Sequence, residues 1–132
     1  ASSNQPGCSA VHTHMTNSRL TDPEVLEWRF PVKLESFSIR QSSGGKGLHP
    51  GGNGVDRRLR FLEPMTVNVI AGHRKIPPYG LSGGGSGALG ENYVIHSDES
   101  VTHLETKGQI EVGKNDLFIL KTPGGGGFGK TI

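Results

Sequence analysis

Apolar and polar residues alternate along most of this chain with the period of a strand, and only once with that of a helix. Val32 and Leu34 alternate with Lys33 and Glu35, and the apolar phase then switches to Phe37 and Ile39. Successive strand residues point to opposite faces, so the switch predicts a β-bulge near Glu35-Ser36. Val55, Leu59 and Phe61 alternate with Asp56, Arg58 and Arg60, a half-exposed strand whose apolar side Arg57 interrupts. Met65, Val67, Val69 and Ala71 alternate with Thr66 and Asn68, and Glu63-Pro64 predicts a turn that pairs the two strands as a hairpin. Further strands are expected over 92–96, 101–105 and 109–112. The run Asp116-Leu117-Phe118-Ile119-Leu120 is the best candidate for a central strand buried on both faces.

The helical exception follows Thr21-Asp22-Pro23-Glu24, which has the form of a capping box with proline in the first turn. Leu26 and Phe30 then share a face, and Pro31 ends the helix after about two turns. Between the strands lie 42–47, 50–54 and 81–90, all rich in glycine. The last is long enough to suggest a functional or mobile loop. The expected fold is mainly β: a small sandwich or partial barrel of antiparallel strands with one short N-terminal helix and long Gly-rich loops. Residues 1–10 read as a flexible lead-in and 11–132 as a single β-rich domain.

Composition narrows the function classes. Gly is 21 of 132 residues, far above an average of about 7%, so much of the backbone must be irregular. Lys plus Arg number 14 and Asp plus Glu 12, a balance that argues against a disordered chain and against nucleic acid as a partner. There is no apolar stretch long enough to cross a membrane as a helix. The N-terminus lacks the pattern of an intact signal peptide, and the lone Cys8 fits a reducing, cytoplasmic setting.

Chemistry concentrates in Val11-His12-Thr13-His14-Met15-Thr16-Asn17-Ser18-Arg19. In an extended segment His12 and His14 point the same way. They could chelate a cation with Asp22 or Glu24, act as acid or base beside an Asn17 amide donor, or simply bond to backbone. Helix capping explains Asp22 and Glu24 better than catalysis does. Arg19 could clamp a carboxylate or phosphate, or form a surface ion pair. His73-Arg74-Lys75 ends a strand beside the long glycine loop and could face a shared cleft, whereas His49, His96 and His103 look like surface positions. Gly124-Gly125-Gly126-Gly127-Phe128-Gly129-Lys130-Thr131 satisfies the phosphate-loop pattern literally, but only Ile132 follows, so no helix presents its N-terminus to phosphate. Close approach of backbone to a partner explains those glycines better.

These residues carry a family resemblance. His12 through Glu27 resembles the C-terminal part of the hydantoinase B / 5-oxoprolinase family. The likeness continues in order through Arg29-Phe30-Pro31-Val32, Gly44-Gly45-Lys46-Gly47, Gly51-Gly52-Asn53-Gly54-Val55, Arg60-Phe61, Pro78-Tyr79-Gly80-Leu81, Gly83-Gly84, Gly87-Ala88 and Thr122 through Gly129. The family's tail usually has Tyr where Phe128 stands. The resemblance implies part of an ATP-dependent amidohydrolase that opens 5-oxoproline to glutamate, or a hydantoin to an N-carbamoyl amino acid. Related carboxylases share the B-type subunit. An A-type part handles ATP and activates the lactam oxygen. Family members are several times longer, and their B-type metal ligands lie in an N-terminal region absent here. ATP and a divalent metal ion are therefore expected only in the intact enzyme, with none bound by these residues and this piece inactive alone. The implied partners are the missing N-terminal part of the B-type subunit and an A-type subunit or domain.

On this reading His12, His14 and Asn17 are the candidate catalytic residues, and Arg19, His73 and Arg74 the candidate substrate contacts. Gly124 to Gly127 would pack against the missing part. The alternatives are a non-catalytic structural module for assembly of such a complex or of a related ATP-dependent carboxylase, and a β sandwich that binds a small ligand near residues 73–90.

Overall fold

The computed structural model describes residues 1–11 and 19–132. Among these residues one helix, α1 (Pro23–Arg29), precedes seven strands: β1 (Val32–Ile39), β2 (Val55–Phe61), β3 (Met65–Ile70), β4 (Glu91–Ile95), β5 (Val101–Leu104), β6 (Lys107–Val112) and β7 (Leu117–Lys121). They form an antiparallel five-stranded sheet in the order β1-β2-β7-β4-β5 and a two-stranded sheet of β3 and β6. The two layers meet over one core, in which Val69 and Val112 of the small sheet pack with Val32, Phe61, Val94 and Phe118 of the large one. The sheets are not closed into a barrel.

The expected bulge is present. Pairing of β1 with β2 shifts between Leu34 and Ser36, and Leu34, Phe37 and Ile39 oppose Leu59, Arg57 and Val55. The extra residue thus keeps every apolar residue of β1 on one face despite the change of phase. Helix α1 is fastened to this irregularity, because Glu27 Oε1 accepts the Leu34 N–H at 2.8 Å. Glu27→Ala should cost about 1 kcal/mol, the net value of one such bond, and Glu27→Gln less, by urea denaturation. The cap itself is Asp22, whose carboxylate accepts the Glu24 N–H at 2.9 Å, rather than the Thr21 of the expected capping box. Proline at the next position fixes the backbone there, and the shorter reach of Asp22 suffices.

The hairpin expected between β2 and β3 does not form. Both edges of β2 are occupied, by β1 and by β7, so β3 has no edge to join. The chain crosses at Glu63-Pro64 to the other layer, where β3 pairs with β6 over Met65–Ile70. β7 is the middle strand of the large sheet, with Phe118 and Ile119 buried, as its apolar run suggests.

The glycine-rich segments are neither helix nor strand, yet they are packed against one another by backbone bonds. Gly45 N donates to Gly125 O (2.8 Å), Gly125 N to Gly52 O (2.9 Å), Gly127 N to Gly85 O (2.9 Å), Gly85 N to Lys46 O (2.6 Å) and Gly124 N to Ala88 O (3.1 Å). The separation leaves no room for side chains: a Cβ on Gly124 would lie 1.8 Å from Ser43 O, and one on Gly126 1.9 Å from Tyr79 O. Gly124 to Gly127 thus closely approach other segments of this chain. Pairing satisfies buried peptide groups that no ladder reaches. The lead-in joins the same arrangement, with Gly7 N on Pro50 O and Ala10 N on Asn53 O, both at 2.8 Å.

Candidate functional site

The small sheet covers only one end of the large sheet's inner face. At the other end Phe37, Val55, Arg57 and Leu120 form one wall of a cleft of about 750 Å³, which Gly7, Cys8 and Ala10 of the lead-in also line. Gly72, His73 and Arg74, just past the end of β3, supply another wall, and Gly52 to Gly54, Thr122 and Pro123 the floor. Val11 and Leu20 also line it. Those two residues flank, on either side, the stretch that holds His12, His14 and Asn17. A smaller hollow of about 290 Å³ shares Arg74, Leu120 and Thr122 with the cleft.

His73 is held in a committed pose. Its backbone is left-handed at φ 52°, a conformation that costs a non-glycine residue about 1–3 kcal/mol unless its surroundings impose it. Here Gly90 N donates to its carbonyl at 2.9 Å, and the ring Nδ1 lies 2.9 Å from Ile76 O. A carbonyl can only accept, so Nδ1 carries a proton and donates it to Ile76 O, which leaves Nε2 as the ring nitrogen not engaged in that bond. In the neutral ring that nitrogen can accept a proton or a hydrogen bond.

Arg74 is half-buried. It donates from Nη1 to Gly72 O (2.6 Å) and from Nη2 to Asn92 Oδ1 (2.9 Å), and burial, then the nearby Arg40, holds it below the usual guanidinium range. Its room is made by Gly90, where a Cβ would meet Nη1 at 2.2 Å. Asn92, 1% exposed on β4, is thereby committed to positioning the guanidinium. Arg57 faces the same cleft from β2. Neither a hydrogen bond nor an ion pair reaches it from the described residues, and burial lowers it too.

The Hydantoinase B/oxoprolinase family model matches residues 1–131. The chain belongs to that family. It is 44% identical over 126 residues to 5-oxoprolinase 1 of Arabidopsis thaliana, covering 96% of this chain and 10% of the relative. It therefore spans about a tenth of the length of that curated relative. Among solved structures it resembles the ATP-dependent caprolactamase of Pseudomonas jessenii, with a TM-score of 0.73 and 27% identity over 83% of this chain and 20% of that one. Nucleotide-free acetone carboxylase superposes at a TM-score of 0.81 over 98% of this chain and 22% of that one; at 21% identity that likeness speaks for the fold alone.

Of the residues singled out from the sequence, His73 and Arg74 meet in the cleft of this hydantoinase B/oxoprolinase chain. Arg19 is exposed and outside its lining. His12, His14 and Asn17 lie outside the described residues. The sequence signal for Arg57 was its interruption of an apolar row. His96 departs from the surface position expected: its Nδ1 is 2.8 Å from Asp116 Oδ2 and its Nε2 2.9 Å from Thr102 Oγ1, a junction that ties the β4–β5 turn to the start of β7.

Among the described residues, no three His, Cys, Asp or Glu side chains form a group that could hold a metal ion. The N–H groups of Gly124, Gly125, Gly127, Phe128 and Gly129 are all spent on carbonyls of neighbouring segments, so they cannot cradle a nucleotide phosphate. No described helix is long and apolar enough to cross a membrane.

Proposed function

We propose that this chain is the C-terminal part of the B-type component of an ATP-dependent cyclic amide hydrolase. The intact enzyme opens 5-oxoproline to glutamate, or a hydantoin to an N-carbamoyl amino acid. The observation that carries this reading is the 44% identity to 5-oxoprolinase 1 across 96% of the chain. The cleft supplies the kind of surface such a substrate needs: an apolar wall for the ring, two guanidinium groups, and an imidazole. Opening the ring requires water to add at the carbonyl carbon and a proton to reach the departing nitrogen. His73 positions the substrate, His12 and His14 transfer protons, and Asn17 donates to the carbonyl oxygen. ATP belongs to an A-type component, and the divalent metal to residues of the B-type component beyond these, in a cytoplasmic enzyme.

The test is coupled turnover. The intact protein should release ADP and glutamate together when given 5-oxoproline. ADP release indifferent to 5-oxoproline, hydantoins and caprolactam alike would contradict the proposal.

A second reading, a module that holds the complex together, is favoured by large apolar side chains outside the cleft. Trp28 is 86% exposed on α1, and Ile70, 85% exposed, ends β3. Such residues suit contact with the rest of the B-type component. Trp28→Ala should weaken assembly, read by light scattering, while a complex once formed turns over at the wild-type rate. A loss of turnover with assembly intact would count against that division of labour.

A further inference from the structure

Arg57 is the one cation in an apolar row. Its register partners are Phe37 on β1 and Leu120 on β7, and Val55 and Leu59 flank it on its own face of β2. A guanidinium placed there sheds part of its hydration, which proteins ordinarily offset with a carboxylate from the same chain. Arg40, Arg58 and Arg60 follow that rule, pairing with Glu91, Asp56 and Glu35. Arg57 does not: its Nε is buried with no acceptor among the described residues. Arg74 is in a similar state, with two N–H groups committed to Gly72 and Asn92 and its buried Nε without an acceptor. Both arginines line one cleft, and among the described residues no Asp or Glu contributes to that lining.

A half-buried pair of cations in a cavity without acids is completed by an anion from outside. The planar fork of a guanidinium matches the two oxygens of a carboxylate or phosphoryl group, and the apolar surround strengthens each bond by excluding water. We infer that the cleft is an oxyanion site: Arg57, with Arg74, takes a carboxylate or phosphoryl group of a bound ligand, while Phe37, Val55 and Leu120 cover the ligand's apolar part. The inference rests on reading the cleft as the substrate-facing surface, and it gives that surface a ligand class.

Calorimetric titration of the intact protein with glutarate and with inorganic phosphate tests it. Arg57→Met keeps the volume and removes the charge, so the fold should survive; unchanged melting temperature verifies this. Lys75→Ala serves as control, because Lys75 is exposed and paired with Glu105. Affinity should fall at least about tenfold in Arg57→Met, the effect of losing one charge-assisted hydrogen bond, and stay unchanged in the control. Loss confined to glutarate identifies a carboxylate ligand, loss confined to phosphate a phosphoryl ligand, and loss of both the shared chemistry. Wild-type affinity for both in Arg57→Met, or no binding of either by the wild type, overturns the inference. Cyclic-amide turnover in the same preparations separates the two levels: anion binding without turnover sinks the proposed function alone, and turnover without anion binding sinks this inference alone.

Discussion

Gly124→Ala is expected to destabilise the protein by about 4 kcal/mol, enough to abolish a large part of a typical domain's stability. The added Cβ would fall 1.8 Å from Ser43 O and 2.2 Å from Ser43 C. Neither is the end of a flexible side chain, so a backbone segment must move. Overpacking of this kind costs about 1–3 kcal/mol by itself. Movement also breaks bonds that depend on the spacing, among them Gly124 N to Ala88 O, Gly45 N to Gly125 O and Gly125 N to Gly52 O, at about 1 kcal/mol each. Thermal melts should show a fall of more than about 10 °C. Gly72→Ala is the matched control: nothing lies within 4 Å of its Cβ position, and it should melt near the wild type. A Gly124→Ala protein as stable as the wild type would mean that the glycine segments are not packed as described.

Asp116→Ala is expected to cost about 3 kcal/mol at neutral pH and to blunt the loss of stability in acid. Asp116 is 4% exposed. Its carboxylate accepts from Gly113 N at 2.9 Å, Ser97 N at 2.9 Å and His96 Nδ1 at 2.8 Å. Truncation leaves those three part-buried donors without that acceptor. Burial pushes the Asp116 carboxyl up, but the bonds from Gly113, His96 and Ser97 together outweigh it and hold the group below the ordinary carboxylate range. A depressed folded-state value means that its stabilisation is complete above the unfolded value of about 3.9 and is lost as pH falls through the lower folded value. Urea midpoints at pH 7, 4 and 2.5 should therefore drop more steeply in the wild type than in the variant. Parallel acid limbs would show that Asp116 does not carry that dependence.

Much of the sheet was legible because its signals are local. The phase switch in β1, the apolar run of β7 and the proline of α1 each fix a structure within a few residues. The β2–β3 pairing was misread because adjacency in sequence favours a hairpin, and only the arrival of β7 at the second edge of β2 excludes it. The order inside the glycine loops was not legible for a related reason. Their order comes from backbone pairing across long sequence separations, such as Gly45 with Gly125, and periodicity carries no trace of it. His73 and Arg74 were legible from their place beside the long loop. Arg57 was visible as an interruption in an apolar row, but its meaning depends on where the small sheet stops covering the large one. The His96–Asp116 junction was missed because each residue alone looks like an ordinary polar terminus.

The most direct test of the functional account compares 5-oxoproline-dependent ADP and glutamate release by the intact enzyme with and without His14→Ala. Loss of a proton-transfer group should lower kcat by about a hundredfold or more, with melting temperature and assembly unchanged. A variant that turns over 5-oxoproline at the wild-type rate would contradict the placing of this chain at the site of the chemistry.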